Sequence, residues 1–311
     1  MLGKGAQMGT STDRSAEMNN KSAASTPAGG RRLLYLDCGM GAAGDMLAAA
    51  LFELLDDEKK KAFLDTMRAL APEGVEISMS PMTKCGILGT HFDVVIGGER
   101  EESADFDGHA HEHKHVHAHE HEHVHTHSHD HTHEHSHNHG HHHHYGMADI
   151  EAIINGFGML SEDVRGSILD VYKIIASAES AVHGTDVSEI HFHEVGTMDA
   201  VIDVTAVCVL MDMLAPDEVC SSPVRTGKGH VRCAHGILPV PAPASARILM
   251  GIPAYAGGIE AELCTPTGAA LLRHFAGTFG DQPMMAVTGI GYGMGTKDFE
   301  VCNCLRAMIG E

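Results

Sequence analysis

The run His191-Phe192-His193-Glu194 holds two imidazoles and a carboxylate within four residues. On an extended backbone His191 and His193 share one face, and two imidazoles so spaced are a common half of a metal site. Asp199 and Asp203 follow at helical spacing, where they can orient an imidazole or complete the ligand set. The plainer reading is a hydrogen-bonded histidine pair at a strand end. Further on, His230-Val231-Arg232-Cys233-Ala234-His235 sets a thiol between two imidazoles. Thiolate with imidazole suits a borderline-soft ion, although Cys233 alone would read as an ordinary buried residue. His191, His193, Glu194, Cys233 and His235 are therefore candidate metal ligands.

Three further features suit an anionic small molecule. Gly39-Met40-Gly41-Ala42-Ala43-Gly44 has the glycine spacing of a dinucleotide fingerprint. No βαβ unit follows, and the acidic residue about 20 positions on, Asp65, falls inside an expected helix. The better reading is a turn, with Gly41 and Gly44, that presents backbone N–H groups and a helix N-terminus to a phosphate. Asp37 and Asp45 flank it and can hold a metal, or Asp45 can simply cap the helix. Arg225, Lys228 and Arg232 form a basic cluster that is rare in this acidic chain. Thr265-Pro266-Thr267-Gly268 combines a cap with Pro at the first helical position, so it is either a second phosphate seat or an ordinary helix start. No G-x-x-x-x-G-K-[ST] run occurs, so the chain is not a P-loop nucleotide hydrolase.

Histidine dominates one stretch. It occupies every odd position from 109 to 139 and all of 141–144, which accounts for 20 of the 27 histidines. With a reference pKa of about 6.5, roughly a quarter of free imidazoles are charged at pH 7. Most of the tract, beginning His109, His111, His113 and ending His141, His142, His143, His144, is therefore available to divalent nickel, copper, zinc or cobalt. The alternative is a solvated linker, because nothing in the tract can pack a core.

The elements that must position these groups follow from periodicity and capping. Residues 31–37 read as a buried strand, and helices are expected at about 45–55 and 57–70. Strands follow at 75–79 and 90–96, with Gly86 and Gly89 in the turn between them. Ser161 caps a long helix to about 182, and Gly184 ends it. A short strand is expected at 189–194, then an apolar helix from Thr197 or Asp199 to Leu214 that Pro216 stops. Helices near 243–250 and 265–277 precede a strand at 284–290, a glycine loop and a last strand at 302–309. The pattern is an α+β fold, a mixed sheet with flanking helices interrupted by a His-rich insert. Its expected segments are a disordered tail (1–30), a first core part (31–97), the insert (98–146) and a second core part (147–311).

Composition narrows the function. The chain has 311 residues and a formal net charge of −21, which argues against nucleic-acid and anionic-membrane surfaces. The apolar run 200–211 is interrupted by Asp203 and is shorter than the ~20 residues a crossing helix needs. Arg31-Arg32 precedes only four apolar residues before Asp37, which disfavours an export signal. Eight cysteines without a CxxC pair read as reduced thiols of a cytoplasmic protein.

Several longer runs resemble one family. They are Leu34-Tyr35-Leu36-Asp37-Cys38 with Gly44-Asp45-Met46, and His191-Phe192-His193-Glu194-Val195-Gly196 with Asp199-Ala200. The proline-studded stretch 233–244, Thr265-Pro266-Thr267-Gly268-Ala269-Ala270 and the glycine run 289–296 complete the set. Together they resemble the LarC nickel insertion proteins over nearly all of 31–311. The resemblance implies a cyclometallase of the lyase class. It would insert Ni(II) into pyridinium-3,5-bisthiocarboxylic acid mononucleotide to give the nickel-pincer cofactor of lactate racemase-type apoenzymes. Such an insertion needs a base for the released proton, and His193 and Glu194 are the candidates. The resemblance also implies CTP and Mn(II), engaged through a C-terminal half expected to be encoded separately. The competing reading is a non-catalytic nickel or zinc storage protein or metallochaperone.

Overall fold

The computed structural model describes residues 30–98, 104–105, 145–190, 192, 195–233 and 235–311. The histidine tract, together with His191, His193 and Glu194, lies outside the described residues.

The first half supplies β1 (Leu33–Asp37), α1 (Gly44–Glu53), α2 (Asp57–Leu70), β2 (Val75–Lys84), β3 (Ile87–Ile96) and the short β4 (Ala104–Asp105). Next come α3 (Met147–Gly156), α4 (Glu162–His183), a 3-10 turn (Val187–Glu189) and α5 (Met198–Leu214). Then follow β5 (Glu218–Ser221), β6 (Val224–Arg225), β7 (His230–Cys233), β8 (Gly236–Pro239), α6 (Pro243–Ile248) and β9 (Ala254–Tyr255). The chain continues with α7 (Pro266–Phe275), β10 (Thr278–Phe279), β11 (Val287–Met294) and β12 (Cys304–Gly310). Seven strands form one mixed sheet in the order β10-β5-β1-β12-β11-β3-β2. This is the expected α+β class, with a sheet built from both sides of the histidine tract.

Alternation along the strands decides where the core sits. Leu34 and Leu36 of β1 and Leu305, Ala307 and Ile309 of β12 face the main core, with α1, α4, α5 and α7. Tyr35, Cys220 and Met308 lie side by side on three strands and form a small cluster of their own. Helix α5 is buried nearly all round, from Ala200 to Met211, so it has no solvent face. Its start is local: the Thr197 hydroxyl accepts the Ala200 N–H. Ser161 caps α4 in the same way, and Gly184 ends it with φ of 68°.

Three expectations need correction. Residues 187–189 form a 3-10 turn, not the start of a strand, because the Asp186 carboxylate accepts the Ser188 N–H. The turn between β2 and β3 is Cys85-Gly86 alone, both with positive φ, while Gly89 lies inside β3. The glycine run is strand β11 rather than a loop. A Cβ on Gly291 would lie 2.1 Å from the Ala50 carbonyl oxygen, and one on Gly293 would lie 1.8 Å from that of Met46. Alternate glycines therefore let the α1 backbone lie directly on the strand.

Candidate functional site

The first turns of α1, α5 and α7 meet β3 and the loop after β11 around a cavity of about 350 Å³. Ala43, Gly44 and Asp45 come from α1 and its approach, Asp199 and Asp203 from α5, and Thr265 and Thr267 from α7. His91 and Asp93 arrive from β3, two residues apart and so on one face, and Lys297 and Asn303 close the loop side. Three helix N-termini bring partial positive charge to a cavity that also holds Asp45, Asp93, Asp199, Asp203 and Glu262.

Asp203 is the anomaly. It is a carboxylate only 9% exposed on a helix whose centre is apolar apart from Thr205. Its carboxylate accepts the backbone N–H of Asp45. Burial, then the like charges of Asp199 and Asp45, raise it well above the ordinary carboxylate range. Burial also raises Asp45, against the Met46 N–H and the nearby His91, both of which favour its charged form. The two acids thus form a pair that holds protons more firmly than exposed carboxylates do.

His91 is buried, and its Nδ1 lies 2.9 Å from the Met294 carbonyl oxygen. A carbonyl only accepts, so in the neutral ring Nδ1 carries the hydrogen and Nε2 keeps the lone pair. That arrangement is the usual orientation of a metal-binding imidazole.

The structure brings Gly44, Asp45, Thr265 and Thr267 of the sequence candidates together at this cavity. Gly268 stands behind it, where a Cβ would lie 2.1 Å from the Ala42 carbonyl oxygen, so its role there is close packing of α7 on the α1 approach. Gly41 has φ of 86° and packs on the Leu263 carbonyl. Asp37 is instead bound by Arg306 at 2.6 Å. Arg225 turns to the Gly39 carbonyl and Met40 sulfur, and Lys228 pairs with Glu260 at 3.3 Å. Cys233 and His235 sit at the β7–β8 hairpin, where the His235 ring lies against His183, tilted by 37° with centroids 4.8 Å apart. Val195, which follows Glu194 in the chain, lines the cavity.

Among the described residues no group of three His, Cys, Asp or Glu side chains is arranged to hold a metal ion. For a triphosphate the cavity offers one lysine and one histidine against five acidic side chains. CTP with Mn(II) does not fit it.

The nickel insertion protein family model matches residues 34–311. The chain belongs to that nickel insertion protein family. Among its relatives, a putative nickel insertion protein of Dictyoglomus thermophilum is 36% identical over 281 residues, covering 90% of this chain and 61% of the relative. The pyridinium-3,5-bisthiocarboxylic acid mononucleotide nickel insertion protein of Desulfitobacterium hafniense is 36% identical, over 89% of this chain and 58% of its own length. Its namesake in Clostridium acetobutylicum is 41% identical, over 90% of this chain and 64% of its own length. The chain thus spans about three-fifths of the length of these curated relatives. No solved structure matches it. No helix among the described residues is long and apolar enough to cross a membrane.

Four lining residues of this nickel insertion protein family member escape a reading by motif: His91, Asp93, Glu262 and Lys297. The available signal was His-x-Asp within β3, two polar side chains on one face of a strand whose other face carries Phe92 and Val94.

Proposed function

We propose that the chain carries the metal-insertion step of nickel-pincer cofactor assembly. Ni(II), as cargo, enters pyridinium-3,5-bisthiocarboxylic acid mononucleotide in the cavity lined by α1, α5 and α7. The observation that carries this reading is the proton-holding pair Asp45 and Asp203 beside His91 in a member of a nickel insertion family.

Cyclometallation replaces an aromatic C–H by a C–Ni bond. One proton must leave, and the metal must arrive on ligands that exchange. An ionised carboxylate of the Asp45–Asp203 pair, made a stronger base by burial, suits the first need, and the Nε2 of His91 suits the second. The N-termini of α1 and α7 offer N–H groups and dipole charge to a single phosphate. His193 and Glu194 are the competing base, with His191, Cys233, His235 and Asp37 as further candidate ligands. A His193→Ala chain that still forms the cofactor at the unaltered rate removes His193 and leaves the aspartate pair.

The histidine tract serves as the reservoir that collects nickel before transfer. CTP and Mn(II) are assigned to a C-terminal half of the kind the relatives' greater length accommodates, whether on this polypeptide or another. The product goes to a lactate racemase-type apoenzyme in the cytoplasm.

The test is incubation of the chain with the mononucleotide, Ni(II), CTP, Mn(II) and the C-terminal half of a relative. Insertion changes the absorbance of the sulfur-bearing ligand, and Asp203→Ala abolishes the change. A storage protein takes up nickel and leaves that absorbance unaltered, which would overturn the proposal.

A further inference from the structure

Cys302 and Cys304 are separated only by Asn303, and their sulfurs are 3.5 Å apart. The spacing has a backbone cause. The Cys304 N–H donates to the Cys302 carbonyl at 3.0 Å, a three-residue turn that brings two side chains of an i, i+2 pair to one side. In an extended strand they would also share a face, but stand nearly two rises of about 3.3 Å apart.

The two thiols do not belong to the cavity lining but flank a residue that does. Asn303 lines the cavity, and its side-chain amide donates to the Lys297 carbonyl at 2.9 Å. Cys304 pairs across the sheet with Met294, whose carbonyl orients His91. Cys302 faces the Lys84 carbonyl at 3.5 Å, and both cysteines are partly exposed.

We infer that Cys302 and Cys304 form a two-thiolate site for a thiophilic divalent metal, nickel or zinc, adjoining the cavity wall at Asn303. Metal–sulfur bonds of about 2.3 Å place two cis sulfurs about 3.3 Å apart in a square plane and about 3.8 Å apart in a tetrahedron. The observed separation falls between the two, so one ion bridges the pair with little backbone movement. A disulfide would require the sulfurs to close to about 2.05 Å. Each sulfur loses its proton to solvent as the metal binds, and the metal changes no oxidation state. Burial pushes the free Cys304 thiol up to about 12, while the Arg306 cation works the other way. Two protein ligands leave coordination positions open, which is what a handover site needs and a storage site does not. The binding stands on the geometry alone. Its use as a handover step for the cavity rests on the proposed insertion function.

The test is titration of the reduced full chain with Ni(II) in excess over the histidine tract, without any mononucleotide. A sulfur-to-nickel charge-transfer absorption appears, because imidazole and carboxylate ligands give none. It is lost in Cys302→Ser and in Cys304→Ser. In the unaltered chain nickel protects both thiols from alkylation, read by peptide mass, and magnesium does not. This second readout needs no variant to fold. No absorption, absorption that survives in the double variant, or protection of Cys85 or Cys233 in place of this pair would overturn the inference. Because no mononucleotide is present, such a result leaves the insertion function standing. A positive result with no insertion activity would separate the two in the other direction.

Discussion

Asp203 occupies the space that a side chain on Gly44 would need. A Cβ on Gly44 would lie 2.4 Å from Asp203 Oδ2 and 2.8 Å from Asp203 Cβ. The absence of a side chain there lets the carboxylate reach the first turn of α1 and accept the Asp45 N–H. Gly44→Ala therefore forces α1 and α5 apart or turns Asp203 away. Overpacking of this kind costs about 1–3 kcal/mol, so the urea midpoint should fall with an unchanged slope. Because the two residues touch, Gly44→Ala and Asp203→Ala should be non-additive in a double-mutant cycle. Additive losses would contradict the contact.

The raised acid of Asp203 has a consequence for pH. In the unfolded chain its carboxyl titrates near the reference of about 3.9, whereas in the folded state it titrates well above its ordinary value. As pH rises from about 4, the unfolded state loses its proton first, so the folded state binds more protons and this group's contribution to stability falls. The fall continues until pH passes the folded value. Asp203→Asn keeps an oxygen to accept the Asp45 N–H and removes the titration. Thermal melts of metal-free protein should show a smaller decline between pH 4 and 8 in the variant. A decline as steep as in the unaltered chain would show that Asp203 does not titrate as argued.

Lys84 staples the loop that closes the cavity. Its buried ammonium donates to the carbonyls of Thr296 and Lys297 at 3.2 and 3.0 Å and pairs with Asp298. Lys84→Met keeps the apolar stem and removes the donors, leaving part-buried carbonyls without them, at about 1–3 kcal/mol. Amide hydrogen exchange should rise over 295–303 and not in α4. Uniform acceleration across the chain would point to general destabilisation instead.

Deletion of 109–144 removes 20 imidazoles from a stretch with no apolar periodicity. The calorimetric stoichiometry for Ni(II) should drop sharply while the melting temperature stays nearly the same. Unchanged stoichiometry would end the reservoir role.

The sequence by itself determined what depends on neighbours along the chain. Ser161, Thr197 and Thr265 announce helices because each hydroxyl accepts an N–H three residues on. The class of the fold follows from such segments, and the family from their longer runs. The tertiary structure decided what depends on approach. The glycines of β11 read locally as a loop, since glycine is a poor strand former. They form a strand because Gly291 and Gly293 leave room for the carbonyls of Ala50 and Met46 on α1. The cavity has the same origin. In the sequence Asp45 and Asp203 stand as single acids, and His91 is one residue of the expected strand 90–96. Only the crossing of α1, α5 and β3 buries them together, and burial beside like charge turns ordinary carboxylates into a proton-holding pair.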